Sequence, residues 1–186
     1  MILTLLRHGE TDLNAKRIIQ GAFTNAVLND LGKSQIRDAA INLRKENTNY
    51  DIIGATLLSR SLESAQIVND ILHISDKLLV NQHLMERDYG TYELMSLDEF
   101  YDLRSNGKIT DESYESDQDM LIRIFYAINN LFLEYKERNL LFVVHSQVIK
   151  AALMLTKTPS YDFTSLIKNA EYFTFSVTKS GIKLIK

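Results

Sequence analysis

A chain of 186 residues, 45% apolar and 24% charged, has the size and composition of one globular domain with a buried core. Its net charge of −3 argues against nucleic acid and anionic membranes as partners, so any phosphate must be gripped by a few focused cations. With no cysteine, the chain has no disulfide, thiolate nucleophile or cysteine-based zinc site.

Met1–Leu6 reads as a first strand and runs directly into Arg7 and His8, too soon for a secretory leader. No apolar run approaches the roughly 20 residues of a membrane span, and the expected location is cytoplasmic. Leu31–Glu46 places Ile36, Ala39, Ala40 and Leu43 on one helical face, behind a cap at Asn29 or Asp30. Asp51–Leu57 reads as a second strand. Arg60–Leu72 is a second amphipathic helix through Leu62, Ala65, Val68 and Leu72. Residues 104–119 are acidic, with Ser and Gly and little apolar content. They are expected to form a mobile loop and a candidate lid. From Asp117 to Lys136, the stripe Leu121, Ile122, Phe125, Ile128 and Phe132 predicts a long helix. Leu140–Val144 is apolar throughout, as in a strand covered on both faces of a parallel sheet, and a helix over Gln147–Leu155 follows. Asn169–Val177 and Ile182–Ile185 read as closing strands around a turn at Lys179, Ser180 and Gly181. With no repeat or linker, residues 1–186 are expected to form one domain. The alternation predicts a three-layer α/β/α sandwich around a mostly parallel sheet. In such sheets the ligand lies beyond the carboxyl ends of the strands, where Arg7-His8, Thr56–Arg60 and His145 all fall.

Those strand ends carry the chemistry. A neutral imidazole attacks phosphorus when one ring nitrogen is free and the other donates to a fixed acceptor. Arg7 beside His8 offers a planar fork of donors suited to phosphate oxygens, and Gly9 allows a sharp turn and backbone space. Alone, these three residues also fit a structural histidine beside a solvated cation.

The longer run Leu6-Arg7-His8-Gly9-Glu10-Thr11, with Asn14, resembles the signature of the histidine phosphatase superfamily, or phosphoglycerate mutase-like family. Arg17–Gly21 and Leu28–Gln35 resemble its next two stretches, and Thr56–Ala65 its second arginine block. Leu84–Glu93 resembles the segment bearing an acid, and Val143–Lys150 the block with a second histidine. The blocks run in family order over nearly the whole chain. The resemblance implies a phosphoglycerate mutase-like fold and a small-phosphatase activity on a phosphorylated metabolite. It implies no cofactor and no metal. His8 is the implied nucleophile and Glu86 the proton donor. Arg7, Arg60 and a protonated His145 would clamp the phosphate oxygens. Asn14, Gln20, Gly21, Arg87, Tyr89 and Ser146 are the expected substrate contacts. Cations around His8 should disfavour its protonation and keep it nucleophilic.

Four positions depart from the family pattern: Ser146-Gln147 in place of Gly-Gly, Lys150 in place of Arg, and Leu94 where Gly is common. His73 and His83 match no chemical position. The rival reading is a mutase, which needs a second cationic cluster to hold a bisphosphorylated intermediate. Residues 94–120 offer only Arg104 and Lys108 among many acids. A catalytically silent phosphate-binding module is disfavoured by the retention of His8, Arg7, Arg60, Glu86 and His145. Sugar phosphates, phosphoglycerates and nucleotide monophosphates remain open as substrates.

Overall fold

The two apolar runs that bracket most of the chain lie side by side at the centre of one sheet. In the computed structural model, which describes residues 1–46, 48–156 and 160–186, β1 (Ile2–Arg7) pairs parallel with β4 (Asn139–Val144), from Ile2 against Asn139 to Arg7 against Val144. β2 (Ile52–Ala55) runs parallel to the other edge of β4, and the short β3 (Leu79–Val80) runs parallel to β2. β5 (Tyr172–Thr178) is antiparallel to β1 and closes a hairpin with β6 (Gly181–Leu184). The sheet order is β3-β2-β4-β1-β5-β6.

Alternation along the strands feeds two cores. Leu3, Leu5, Leu140, Phe142 and Val144 face a cluster completed by α5 (Asp117–Glu134) and α6 (Ser146–Leu155). Leu6, Leu141 and Val143, with Ile53 and Ala55, face α2 (Asp30–Lys45) and α3 (Ser59–Leu72) on the opposite side. Helices thus cover both faces of a mostly parallel sheet, as the sequence predicts. Gly54 has a packing role in β2, because a Cβ there would lie 2.1 Å from the Phe142 ring. No helix among the described residues is long and apolar enough to cross a membrane.

Several elements differ from the sequence reading. The long helix buries Met120, Ile124, Ala127, Ile128 and Leu131, a face rotated from the predicted one, while Ile122 and Phe125 are each 46% exposed. The helix carries two apolar stripes. The buried one includes Ala127, in the same cluster as Ala151 and Ala152 of α6, where small side chains permit close approach. The sequence reading missed α1 (Asp12–Ala15), β3 and α4 (Leu97–Ser105). Residues 104–119, expected as a mobile loop leading into the helix predicted from Asp117, begin in the last turn of α4 and end in the first turn of α5. Tyr114 from this stretch joins Tyr89, Tyr92 and Phe100 in a third aromatic cluster.

Candidate active site

The site begins where β1 ends. His8, 3% exposed, sits where its backbone N–H still reaches the Val144 carbonyl of β4. Gly9 follows because a Cβ there would lie 2.3 Å from the Gly32 carbonyl oxygen, where the start of α2 crosses. The glycine is needed for close backbone approach. His8 Nδ1 lies 2.7 Å from the Gly9 carbonyl, an acceptor only, so Nδ1 carries the proton and Nε2 holds the free lone pair. Burial, then Arg60 and Arg7, lower the His8 pKa well below the ordinary imidazole value.

The cations around His8 are held by carbonyls, with no salt bridge to a carboxylate among the described residues. Arg7 Nη1 donates to Ile167 O at 2.5 Å. Arg60 is fully buried in the first turn of α3. It donates to Thr24 O (2.6 Å), Gly21 O (3.1 Å) and Gln20 O (3.4 Å), and burial lowers its pKa to about 10. Glu93 anchors the strip that supplies those carbonyls, accepting from Phe23 N (3.0 Å) and from the Thr24 hydroxyl. Arg7 Nε, Arg60 Nε and Gln20 Nε2 are buried donors without a protein acceptor. Buried donors in native folds normally find partners, so this cluster suits an incoming anion.

His145 caps α6, fully buried, with its ring centroid 5.2 Å from that of His8. Its Nε2 lies 2.8 Å from the Thr56 hydroxyl, and its Nδ1 has no protein partner. Burial, then Arg60, His8 and Arg7, lower its pKa well below the ordinary value. Desolvation among cations thus disfavours the protonated His145 in the free protein. A phosphate dianion nearby would reverse that balance.

Glu86, 6% exposed, stands across the cleft from β1. Its Oε1 accepts from Arg87 N (2.9 Å) and its Oε2 from Gln147 N at the start of α6 (3.5 Å). Burial raises its pKa, opposed by the Arg87 N–H, Arg60 and Arg7.

A cleft of about 390 Å³ opens over these groups. Seven of the eleven sequence-predicted residues line it: Arg7, His8, Asn14, Gln20, Glu86, Tyr89 and Ser146. Asn14 Oδ1 accepts from Thr11 and from Asn169 Nδ2, which leaves the Asn14 amide N–H₂ as its donor to the cleft. Arg60 and His145 are buried outside the lining. Gly21 acts through its carbonyl, and a Cβ there would lie 2.3 Å from Glu93 Oε1.

Arg87 does not line the cleft as expected. Its side chain donates to Tyr114 OH (2.5 Å) and Asp117 Oδ1 (2.7 Å), with its guanidinium carbon 4.3 Å from the Phe163 ring centroid. Asp117 also takes Arg104, at 2.7 Å. Arg87 thus fastens the 104–119 stretch, none of which lines the cleft. The opposite rim, missed by the sequence reading, is Thr164, Ser165, Leu166, Ile167 and Asn169, with Lys150 beneath it and Leu97 and Tyr101 from α4 beyond. Only the departure at position 150 signalled any of this in the sequence. Among the described residues no group of three or more His, Asp or Glu is placed to hold a metal.

Residues 3–186 match the family model described as histidine phosphatase superfamily (branch 1). The chain is 30% identical to the uncharacterized phosphatase PhoE of Bacillus subtilis (strain 168) over 152 residues, 80% of this chain and 74% of that protein. It is 32% identical to a 2,3-bisphosphoglycerate-dependent phosphoglycerate mutase of Cutibacterium acnes over 130 residues. That match spans 68% of this chain but only 47% of the mutase. Among solved structures, a phosphoglycerate mutase from Bacillus anthracis superposes with a TM-score of 0.87 at 19% identity, covering 99% and 91% of the two chains. A phosphoserine phosphatase from Entamoeba histolytica gives 0.82 at 21%, covering 100% and 95%. At such identities the structures speak for the fold, which is phosphoglycerate mutase-like.

Proposed function

We propose that this chain, which belongs to the histidine phosphatase superfamily, hydrolyses a small phosphomonoester through a phosphohistidine on His8. The observation that carries the reading is the Nδ1–H bond from His8 to the Gly9 carbonyl, which leaves Nε2 unprotonated beside unpaired arginine donors. In the first step the Nε2 lone pair forms a bond to phosphorus as the ester P–O bond breaks. The leaving alkoxide takes the proton of a neutral Glu86. In the second, water attacks phosphorus, Glu86 accepts its proton, the P–N bond breaks, and inorganic phosphate leaves. Arg7, with Arg60 and Gln20 behind it, stabilises charge on the three equatorial oxygens, where most catalysis of phosphoryl transfer arises. The chemistry needs no metal in this scheme.

The mutase reading shares the first step and differs in the acceptor. Against it stands the fate of the two cations between residues 94 and 120: Arg104 is bound to Asp117, and neither it nor Lys108 lines the cleft. The test is to quench the enzyme with a ³²P-labelled phosphoester and map acid-labile, base-stable label. Label on His8, absent from His8→Ala, supports the reading, and label elsewhere refutes it. Interconversion of 2- and 3-phosphoglycerate with little phosphate release would transfer the chain to the mutase branch.

A further inference from the structure

Glu86 is carried by a stretch that has neither α-helix nor strand to hold it. It lies between two single-turn 3₁₀ segments, Gln82–Leu84 and Gly90–Tyr92. Core packing grips the stretch near its ends, through Leu84 in the cluster under α5 and α6 and through Tyr89 in the aromatic cluster. Between those grips a hollow of about 300 Å³ lies against Gln82, Met85, Glu86 and Asp88. Glu86 lines both this hollow and the catalytic cleft. Side-chain packing therefore leaves the carboxyl unsupported on one side, and its place in the cleft depends on what fixes the main chain.

Two further residues of the same hollow, Arg123 and Glu115, do this fixing. Arg123, on the second turn of α5, donates through Nη1 to the His83 carbonyl at 2.9 Å and to the Met85 carbonyl at 3.0 Å. Its Nε and Nη2 meet Glu115 Oε1 and Oε2 at 2.7 Å each, a bidentate fork that sets the plane of the guanidinium. Glu115, just before α5, donates its backbone N–H to the Asp88 carbonyl at 2.8 Å, and its Oε2 accepts from Asp88 N at 3.4 Å. The main chain is thus clasped on both sides of Glu86, at 83 and 85 by Arg123 and at 88 by Glu115. The two side chains are only 24% and 13% exposed, so water competes with the fork less than at an open surface pair. Because the pair is neutral as a unit, it acts on Glu86 through geometry rather than through an added charge.

We propose that Arg123 and Glu115 are positioning residues for Glu86, their fork holding the main chain of residues 83–88 so that the carboxyl meets the leaving oxygen. This deepens the hydrolase reading and rests on it for Glu86 as the proton donor. The test reads single-turnover phosphoenzyme formation from 3-phosphoglycerate and from p-nitrophenyl phosphate, taken as the ratio of the alkyl to the aryl rate. It compares the wild-type protein with Arg123→Met, Glu115→Gln, Glu86→Gln and the double variant Arg123→Met/Glu86→Gln. Only the alkyl ester needs the proton, and a misplacement of about 1 Å costs up to about 10²-fold. Arg123→Met should therefore lower the ratio by roughly 10- to 100-fold, and Glu115→Gln, which removes half of the fork, by roughly 3- to 10-fold. In the Glu86→Gln background, Arg123→Met should move the ratio by less than about twofold, because the proton it aligned is gone. A purely structural tie would lower stability and both rates alike and leave the ratio where it was. Should Arg123→Met not yield folded protein, Glu115→Gln and its double variant with Glu86→Gln carry the same comparison. A ratio unchanged in either single variant, while Glu86→Gln lowers it, overturns the proposal alone. So does a further fall in the ratio when the clasp is broken in the Glu86→Gln background. A ratio unchanged in Glu86→Gln itself overturns the acid role and the proposal together, and absence of phosphoenzyme from both esters strikes the hydrolase reading on which both stand.

Discussion

Replacing Glu86 by Gln separates the chemical role of the carboxyl from its structural one. The amide is isosteric and keeps an oxygen to accept from Arg87 N, now 2.9 Å from Oε1. Its N–H₂ then faces Gln147 N–H, 3.5 Å from Oε2, so two donors meet where a donor and an acceptor met. An unsatisfied buried donor costs about 1–3 kcal/mol, a loss shared by every substrate. The proton is different. A sugar or glycerate alkoxide is strongly basic and needs protonation as it leaves, whereas nitrophenolate does not. General acid catalysis is worth about 10²–10⁴-fold, or about 2.7–5.5 kcal/mol of barrier. The loss in phosphoenzyme formation should therefore be larger by about 10²–10⁴-fold with an alkyl phosphate than with p-nitrophenyl phosphate, since the structural cost cancels in the ratio. Single-turnover quench flow measures the first step directly and avoids the second, where Glu86 also activates water. Equal losses for the two substrates would refute the acid role and leave Glu86 as a group that merely positions Arg87 and α6.

Three further outcomes follow from the same structure. The single-turnover rate requires neutral His8, whose pKa is depressed, and protonated Glu86, whose pKa is raised. Activity should then persist into acid below the ordinary imidazole value and fall as pH rises through the Glu86 pKa; an alkaline limb unchanged in Glu86→Gln would contradict this. Because the phosphate clamp consists of Arg7 and Arg60, hydrolysis should survive exhaustive EDTA dialysis, and loss restored by a divalent ion would show that the scheme lacks a metal. Leu94 adopts φ +66° and is 60% exposed, a left-handed conformation that costs a non-glycine residue roughly 1–2 kcal/mol. Leu94→Gly should raise the melting temperature by about 2–4 °C on calorimetry, and a lower value would show that its side-chain contacts outweigh the strain.

How much of this was legible in the sequence depends on which physical signal each part carries. Strands β1 and β4 are apolar at nearly every buried position, so their place at the sheet centre is visible in the residues themselves. The α5 helix is equally visible, but its phase is not: stripes through Phe125 and through Ile124 satisfy the same period, and only packing against α6 selects between them. The α4 helix buries Phe100 alone, leaving no stripe to read. The rim at residues 164–169 is irregular, and part of what it offers is backbone carbonyl, which no residue type announces.

Arg87 and Lys150 show where a one-dimensional reading of a site stops. Arg87 adjoins Glu86, which makes it look like a substrate contact; Lys150 stands in a helix five residues past His145, where the sequence marks it only as a replacement for Arg. The fold settles the surroundings of both. Bringing Asp117 to Arg87 neutralises one guanidinium and turns it into a fastener for the 104–119 stretch. Lys150, beneath the cleft's rim, instead donates its ammonium to the Phe163 carbonyl and forms no salt bridge among the described residues. Which buried cations have a carboxylate partner is therefore a property of pairs of residues distant in sequence.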